Sequence, residues 1–216
     1  TRFTSDWSSD VCSSDLDGVG RSIRFPVPGC KALTPDDIMD GKRPTTAGSS
    51  VTIYDDDHYY MGGVIAELLA STGLETVLLT PGPQISHWTQ NTMEQHRIES
   101  RLLKLGVRLV CKRTLAEVKN DSVTAIYTSS GEQETYAAKS VVLVTSRRPD
   151  NGVYYELAGC EEDLLGQLPF SVARIGDCLA PSTIAAAVYD GHRFARAVDE
   201  HIDLDTTPFQ REYPAL

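Results

Sequence analysis

The alternation of apolar and polar residues predicts an α/β protein from residue 51 onward. Short apolar, β-branched runs at Val51–Tyr54 and Thr76–Thr80 predict strands. Between them, apolar residues at helical spacing from Met61 to Ser71 predict a helix that ends before Gly73. A strand, a helix and a strand of this size form a right-handed parallel unit.

The pattern predicts further elements on both sides of this unit. A short helix capped by Thr34 is expected to run through Met39 and to stop at Gly41. Further along, the expected elements are a helix over Thr89–Leu105 with Met93, Ile98, Leu102 and Leu103 on its apolar face, a strand at Val107–Val110, three antiparallel strands over 114–137, a buried parallel strand at Val141–Val144, a strand at Val172–Ile175 and a helix over Thr183–His201.

The first sixteen residues have no apolar periodicity and contain Ser-Asp three times, twice as Ser-Ser-Asp. They resemble translated sequencing-adapter DNA, so we expect residues 1–16 to be an artefact, or alternatively a disordered tail, and exclude them from the fold. On the first interpretation, the natural protein continues upstream of Asp17 and the chain is a fragment.

Composition narrows the classes of function. The net charge of −10 argues against nucleic-acid binding, which needs clustered Lys and Arg. Five scattered cysteines without C-x-x-C spacing predict a reducing cytoplasm and no metal or cluster site within the chain. No apolar run approaches the roughly 18 residues that span a membrane.

The turn between the first two strands lacks the features of a dinucleotide site. Such a turn needs G-x-G-x-x-G, so that backbone amides reach the diphosphate at a helix N-terminus. Here, three carboxylates and three bulky side chains fill the turn, Asp55-Asp56-Asp57-His58-Tyr59-Tyr60. The second strand ends in Thr80-Pro81-Gly82 rather than in the acidic residue that binds ribose hydroxyls.

These two observations predict that NAD(P)H does not bind here in the usual way. One interpretation is an enzyme that takes its electrons from another substrate, and a compatible one is a vestigial domain kept for packing. Carboxylates that stand where phosphates would lie also oppose binding by charge repulsion. A metal held by Asp55–His58 is not expected, because adjacent side chains on one loop rarely converge.

Four ordered segments carry a resemblance to a known family. They are Gly29–Gly41, Val51–Ala70, Val141–Thr145, and Ile175-Gly176-Asp177 with the following residues through Arg193. Together they resemble the C-terminal part of the trimethylamine and dimethylamine dehydrogenases and N-methyl amino acid demethylases, within the old-yellow-enzyme-like group that includes 2,4-dienoyl-CoA reductase.

The resemblance implies a two-domain arrangement, with an inserted Rossmann-type domain and the C-terminal part of an outer FAD- or ADP-binding domain. Residues 51–145 would be the inner NAD(P)-binding-like domain and 146–216 the returning outer segment. Residues 17–50 would be a linker and the end of the first outer segment. The barrel with FMN, the 4Fe-4S cluster and the glycine-rich loop of the outer domain would lie upstream.

The resemblance also implies an outer nucleotide site at Gly176, Asp177, Thr183 and Ile184. In flavoproteins of this kind the Asp contacts the ribityl or diphosphate region, and the following helix points its N-terminus at the nucleotide. The alternative is a plain strand-to-helix turn with Asp177 as a local cap. Cys178 beside it is interpreted as structural.

The implied parent is a cytoplasmic flavin-dependent amine dehydrogenase or N-demethylase. It would pass electrons to a protein acceptor such as an electron-transfer flavoprotein, and the fragment, without catalytic residues, would be inactive alone. Two alternatives stay open: an NAD(P)H-dependent enoate reductase fragment of the 2,4-dienoyl-CoA type, or a non-catalytic nucleotide-binding module.

Overall fold

The computed structural model describes residues 12–14, 32–156 and 173–197. The chain divides into two compact units, one of Ser14–Ser146 and the other of Thr1–Ser13 with Arg147–Leu216. Among the described residues, no helix combines the length and the apolar character needed to cross a bilayer. The predicted start of a strand at Val172 and the predicted end of the last helix at His201 lie outside the described residues.

The larger unit is built on a five-stranded parallel sheet with strand order β2-β9-β3-β4-β5. Its strands are β2 (Ala32–Leu33), β3 (Ser50–Asp55), β4 (Glu75–Leu79), β5 (Arg108–Val110) and β9 (Ser140–Val144). Thr52 at the centre of β3 pairs with Val77 of β4 and Val141 of β9. The predicted β-α-β unit and buried parallel strand are therefore confirmed.

The two faces of this sheet pack against different layers. Alternate residues of a strand point to opposite faces, and Ile53 and Leu78 join one buried cluster whereas Tyr54 and Leu79 join another. Helices α2 (Met61–Ser71) and α3 (Gln95–Lys104) cover the first face. An antiparallel sheet of β6 (Arg113–Val118), β7 (Ser122–Tyr127) and β8 (Gln133–Ala137) covers the second.

The sheet begins before the boundary that we expected at residue 51. Leu33 of β2 pairs with Val142 of β9. The following helix α1 (Pro35–Met39) buries Ile38 completely in the same core as the central strands. Thr34 is the N-cap, as predicted, and it also forms a capping box with Asp37. Residues 32–39 therefore belong with the inner unit, because an edge strand and a buried helical face join them to it.

The helix predicted over Thr89–Leu105 is shorter than expected. A 3₁₀ turn over His87–Gln90 comes first, and α3 begins only at Gln95. Met93 has a φ of 60°, which a continuous helix does not allow, and its side chain is 78% exposed. Leu103 is also exposed, so Ile98 and Leu102 alone carry the predicted apolar face.

The described part of the second unit is small. β1 (Cys12–Ser14) and β10 (Arg147–Pro149) form a two-stranded sheet, and the described part of α4 is 152–156. Residues 173–175 form no strand, contrary to the prediction, although Ile175 has extended dihedral angles. A 3₁₀ turn over Gly176–Cys178 precedes helix α5 (Ile184–Ala197).

Candidate functional site

The candidate site in the larger unit is the turn from β3 into α2, at the carboxyl edge of the parallel sheet. Ligands of open α/β sheets lie at this edge, and dinucleotides place their diphosphate on the first helix. Counting from the end of β3, Asp55, Asp57 and Tyr60 have the i, i+2, i+5 spacing of the three fingerprint glycines. Tyr60 is the N-cap of α2, and its side chain makes no capping hydrogen bond.

Asp55 folds its carboxyl group inward, over the start of α2. Its side chain is completely buried, and Oδ1 accepts hydrogen bonds from the backbone N–H groups of Asp57 (3.1 Å) and His58 (3.2 Å). Oδ2 has no hydrogen-bond partner among the described residues. A Cβ atom added at Gly62 would lie 2.5 Å from Asp55 Cγ and Oδ2. Gly62 is therefore required because the Asp55 carboxyl group occupies the space of a side chain.

Burial raises the pKa of Asp55 to about 7, and the nearby charge of Asp57 adds to the increase, while the hydrogen bond from His58 N–H opposes it. Near neutral pH this carboxyl group is therefore only partly ionised. The sequence alone presents Asp55, Asp56 and Asp57 as three equivalent charges. The structure corrects this, because Asp55 is turned inward, Asp56 is buried against His58 and Asp57 is partly exposed.

His58 lies between the ends of β3 and β4. Its backbone is left-handed (φ 64°), its Nε2 is 3.4 Å from Asp56 Oδ1, and its Nδ1 is 3.4 Å from Thr80 Oγ1. Its carbonyl oxygen accepts a hydrogen bond from Trp88 N–H at 2.9 Å, and the two rings lie 5.9 Å apart. A Cβ atom at Gly82 would be 3.2 Å from His58 Nδ1. The imidazole thus fills the end of the second strand, where a dinucleotide fold places a ribose.

The segment after β4 folds back over the start of α2. Tyr60 Oη donates a hydrogen bond to the Glu94 carboxylate and is 2.9 Å from Thr92 Oγ1. Ser86 is fully buried, and its Oγ would be 3.1 Å from a Cβ atom at Gly63. The segment after β4 therefore contacts the turn at Tyr60 and packs beside Gly63.

The predicted outer residues come together at the start of α5. Gly176 has a φ of 62°, and Asp177 Oδ1 accepts a hydrogen bond from Ser182 N–H at 3.2 Å. Thr183 Oγ1 accepts one from Ala186 N–H at 3.3 Å, which makes Thr183 a capping residue. Ile184, the first residue of α5, is 85% exposed.

We did not foresee the part that Asp190 takes in this turn. Its Oδ2 accepts a hydrogen bond from Gly176 N–H at 2.7 Å, and its Oδ1 accepts two from Arg193, at 3.1 and 2.7 Å. The Gly176 N–H holds the pKa of Asp190 below its ordinary value; partial burial opposes this, and Arg193 lowers the pKa further. The i, i+3 spacing of Asp190 and Arg193 on a helix was the available signal.

The sequence of this chain matches one protein-family model and is similar to a known enzyme. Residues 33–152, more than half of the chain, match the family model described as OYE-like second alpha/beta domain. The chain is 27% identical over 221 aligned residues to dimethylamine dehydrogenase of Hyphomicrobium sp. (strain x), covering 92% of this chain and 30% of that protein.

Two solved structures are similar to this chain, with a higher sequence identity than dimethylamine dehydrogenase. Histamine dehydrogenase from Rhizobium sp. 4-9 is 37% identical with a TM-score of 0.84, over 95% of this chain and 32% of that one. The 6-hydroxypseudooxynicotine amine oxidase from Pseudomonas geniculata N1 is 37% identical with a TM-score of 0.76, over 84% and 27%. The chain spans less than a third of the length of each of these relatives.

Proposed function

Because this chain belongs to the OYE-like second alpha/beta domain family, we propose that it is the nucleotide-domain part of a flavin-dependent amine dehydrogenase or N-demethylase. The predicted resemblance to the amine dehydrogenases is confirmed by the similarity to dimethylamine and histamine dehydrogenases. The parent protein would oxidise a C–N bond of a small amine in a part outside this chain, in the cytoplasm. The chain itself would act in scaffolding and nucleotide binding.

The structure of the turn from β3 into α2 supports the proposed direction of electron flow, which is from the amine and not from NAD(P)H. The Asp55 carboxyl group and the His58 imidazole occupy the space that a diphosphate and a ribose would need. NAD(P)H does not fit these residues, and no step is assigned to it. The amine would therefore be the electron donor, and a protein such as an electron-transfer flavoprotein would be the acceptor.

The turn before α5 is the proposed contact with FAD or ADP. Gly176 supplies the left-handed turn. The first two N–H groups of α5 have no partner within the helix and suit a phosphate oxygen, whereas the next two donate to Thr183. Asp177, Thr183 and Ile184 lie at the same end of the helix. In the parent enzyme this nucleotide would be held here, while FMN and a 4Fe-4S cluster in the barrel would supply the redox chemistry.

Anaerobic reduction of the full-length flavoprotein tests the proposal. The flavin absorbance should bleach with a secondary or tertiary amine from a panel that includes dimethylamine and histamine, and should persist with NADH or NADPH. Rapid bleaching by NADPH together with inert amines would contradict the proposal and would favour the enoate reductase.

A further inference from the structure

We propose that Asp55 and His58 act as an intramolecular occupant of the inner crevice: the Asp55 carboxyl group takes the place of an incoming phosphate, and the His58 imidazole takes the place of a ribose. The inference rests on the proposed function, since it assumes a crevice built for a dinucleotide. It assigns the loss of nucleotide binding to two side chains that fill the space, rather than to repulsion by three carboxylates.

The Asp55 carboxyl group lies at the start of a helix, a position that favours an anion. Helix α2 has eleven residues, and its N-terminus carries a partial positive charge that attracts anions. The Asp55 carboxyl group lies in contact range of its second residue, Gly62, and accepts two N–H groups of the turn. The chain therefore supplies its own carboxyl oxygens at the point where the fold would otherwise receive an anion.

The Asp55 carboxyl group satisfies this position only in part. Oδ1 has two donors, whereas the buried Oδ2 has none among the described residues. A buried carboxylate oxygen without a donor is unfavourable, because it has lost its hydration. An external phosphate, whose oxygens can reach several amides, should therefore bind once the Asp55 side chain is shortened.

The His58 imidazole fills the second position, that of the ribose. His58 stands between Asp56 and Thr80, and a nucleotide ribose would have to displace it. Its left-handed backbone is a conformation that glycine adopts without strain, so His58→Gly should empty this space without moving the turn. Removing both side chains should thus restore first a phosphate site and then a nucleoside site.

The experiment is thermal melting of the 216-residue chain in inorganic pyrophosphate or ADP, at matched ionic strength and without metal. Asp55→Ser should gain about 5 °C in Tm with pyrophosphate relative to the wild-type response. Asp55→Ser with His58→Gly should gain more from ADP than from pyrophosphate. The wild-type response is subtracted because every variant shares the turn before α5.

Asp55→Asn is the matched control, since it removes the charge but keeps the volume, and it should respond as the wild type does. An equal pyrophosphate response in Asp55→Asn would overturn the proposal in favour of charge repulsion. No response in a folded Asp55→Ser would overturn it as well.

If Asp55→Ser does not melt cooperatively, Gly62→Ala gives an independent result. It should lower the wild-type Tm by more than roughly 5 °C, and an unchanged Tm would show that the carboxyl group does not lie over Gly62. Tight NADH binding by the wild type is a different result, which would remove the proposed direction of electron flow itself.

Discussion

At the turn before α2 and at the turn before α5, a carboxyl group accepts hydrogen bonds from backbone N–H groups, but the two carboxyl groups have opposite pKa shifts. Asp55 is completely buried, and burial raises its pKa to about 7. Asp190 is only partly buried, and its pKa is lowered by Gly176 N–H and Arg193. The comparison shows that the same contact with turn amides gives opposite pKa shifts, depending on whether desolvation or donors dominate.

Each of the two turns requires a glycine, but for a different reason. Gly62 is needed because a side chain would collide with Asp55 at 2.5 Å, whereas Gly176 is needed because its φ is 62°. A Cβ atom at Gly176 would meet only Ala187, at 3.7 Å. The inner turn is therefore filled by the chain, whereas the residues at the start of α5, including Ile184, are exposed.

The largest expected effect is a pH-dependent gain of stability in Asp55→Asn. The pKa of folded Asp55 is raised from 3.8 to about 7, so the folded chain keeps a proton that the unfolded chain has lost in this window. The wild type should therefore lose stability relative to Asp55→Asn as the pH rises from roughly 4 to 7, by on the order of a few kcal/mol, with no further loss above it.

Urea denaturation at a series of pH values, followed by tryptophan fluorescence, measures this difference. Asp190→Asn is the control of opposite sign, because a lowered pKa stabilises the wild type above the unfolded pKa and is lost as the pH falls. If the free energy of unfolding depends on pH in the same way in the wild type and in Asp55→Asn, the pKa of Asp55 is not raised, and the two turns do not differ in this respect.

The next largest effect is expected for Gly62→Ala. Its methyl group would overlap the Asp55 carboxyl group, so the free energy of unfolding should fall by roughly 3 kcal/mol. Gly191→Ala in α5 is the matched control, since nothing lies within 4 Å of its Cβ position. It should gain about 0.5–1 kcal/mol through helix propensity. Equal effects in both would mean that the inner turn is not filled.

A smaller effect is expected for Gly176→Ala. An alanine in the left-handed region costs about 1–2 kcal/mol, and the contact with Ala187 at 3.7 Å adds no collision. Loss of the α5 signal in far-ultraviolet circular dichroism during denaturation measures it. Gly176→Asn, which tolerates this conformation better, should lose less, and the reverse order would contradict the assigned φ.

The smallest effect is expected for Thr183→Ala, which removes the hydroxyl acceptor of Ala186 N–H. Loss of such a cap should lower the stability of α5 by about 1 kcal/mol. Thr183→Ser keeps the acceptor and should be close to the wild type in the same denaturation experiment. If Thr183→Ala and Thr183→Ser are equally stable, the Thr183 hydroxyl does not stabilise the start of α5.

Strands β3 to β9, helix α2 and the N-cap at Thr34 could be predicted from the sequence, because they depend on local periodicity and on one short capping pattern. The late start of α3 could not, since it depends on the left-handed Met93. The filled turn was recognised from its residue types. The inward direction of Asp55 and the contact of His58 with Thr80 depend on residues up to 22 positions apart, which periodicity does not report.

Calorimetric titration of NADH into the wild-type chain measures whether the side chains of Asp55 and His58 close the inner crevice to a dinucleotide. We predict no saturable binding of NADH up to about 1 mM, a limit of roughly 4 kcal/mol in binding free energy. A saturable micromolar Kd that is lost in Gly82→Trp, beside His58, would show that the crevice admits the dinucleotide and would contradict this account.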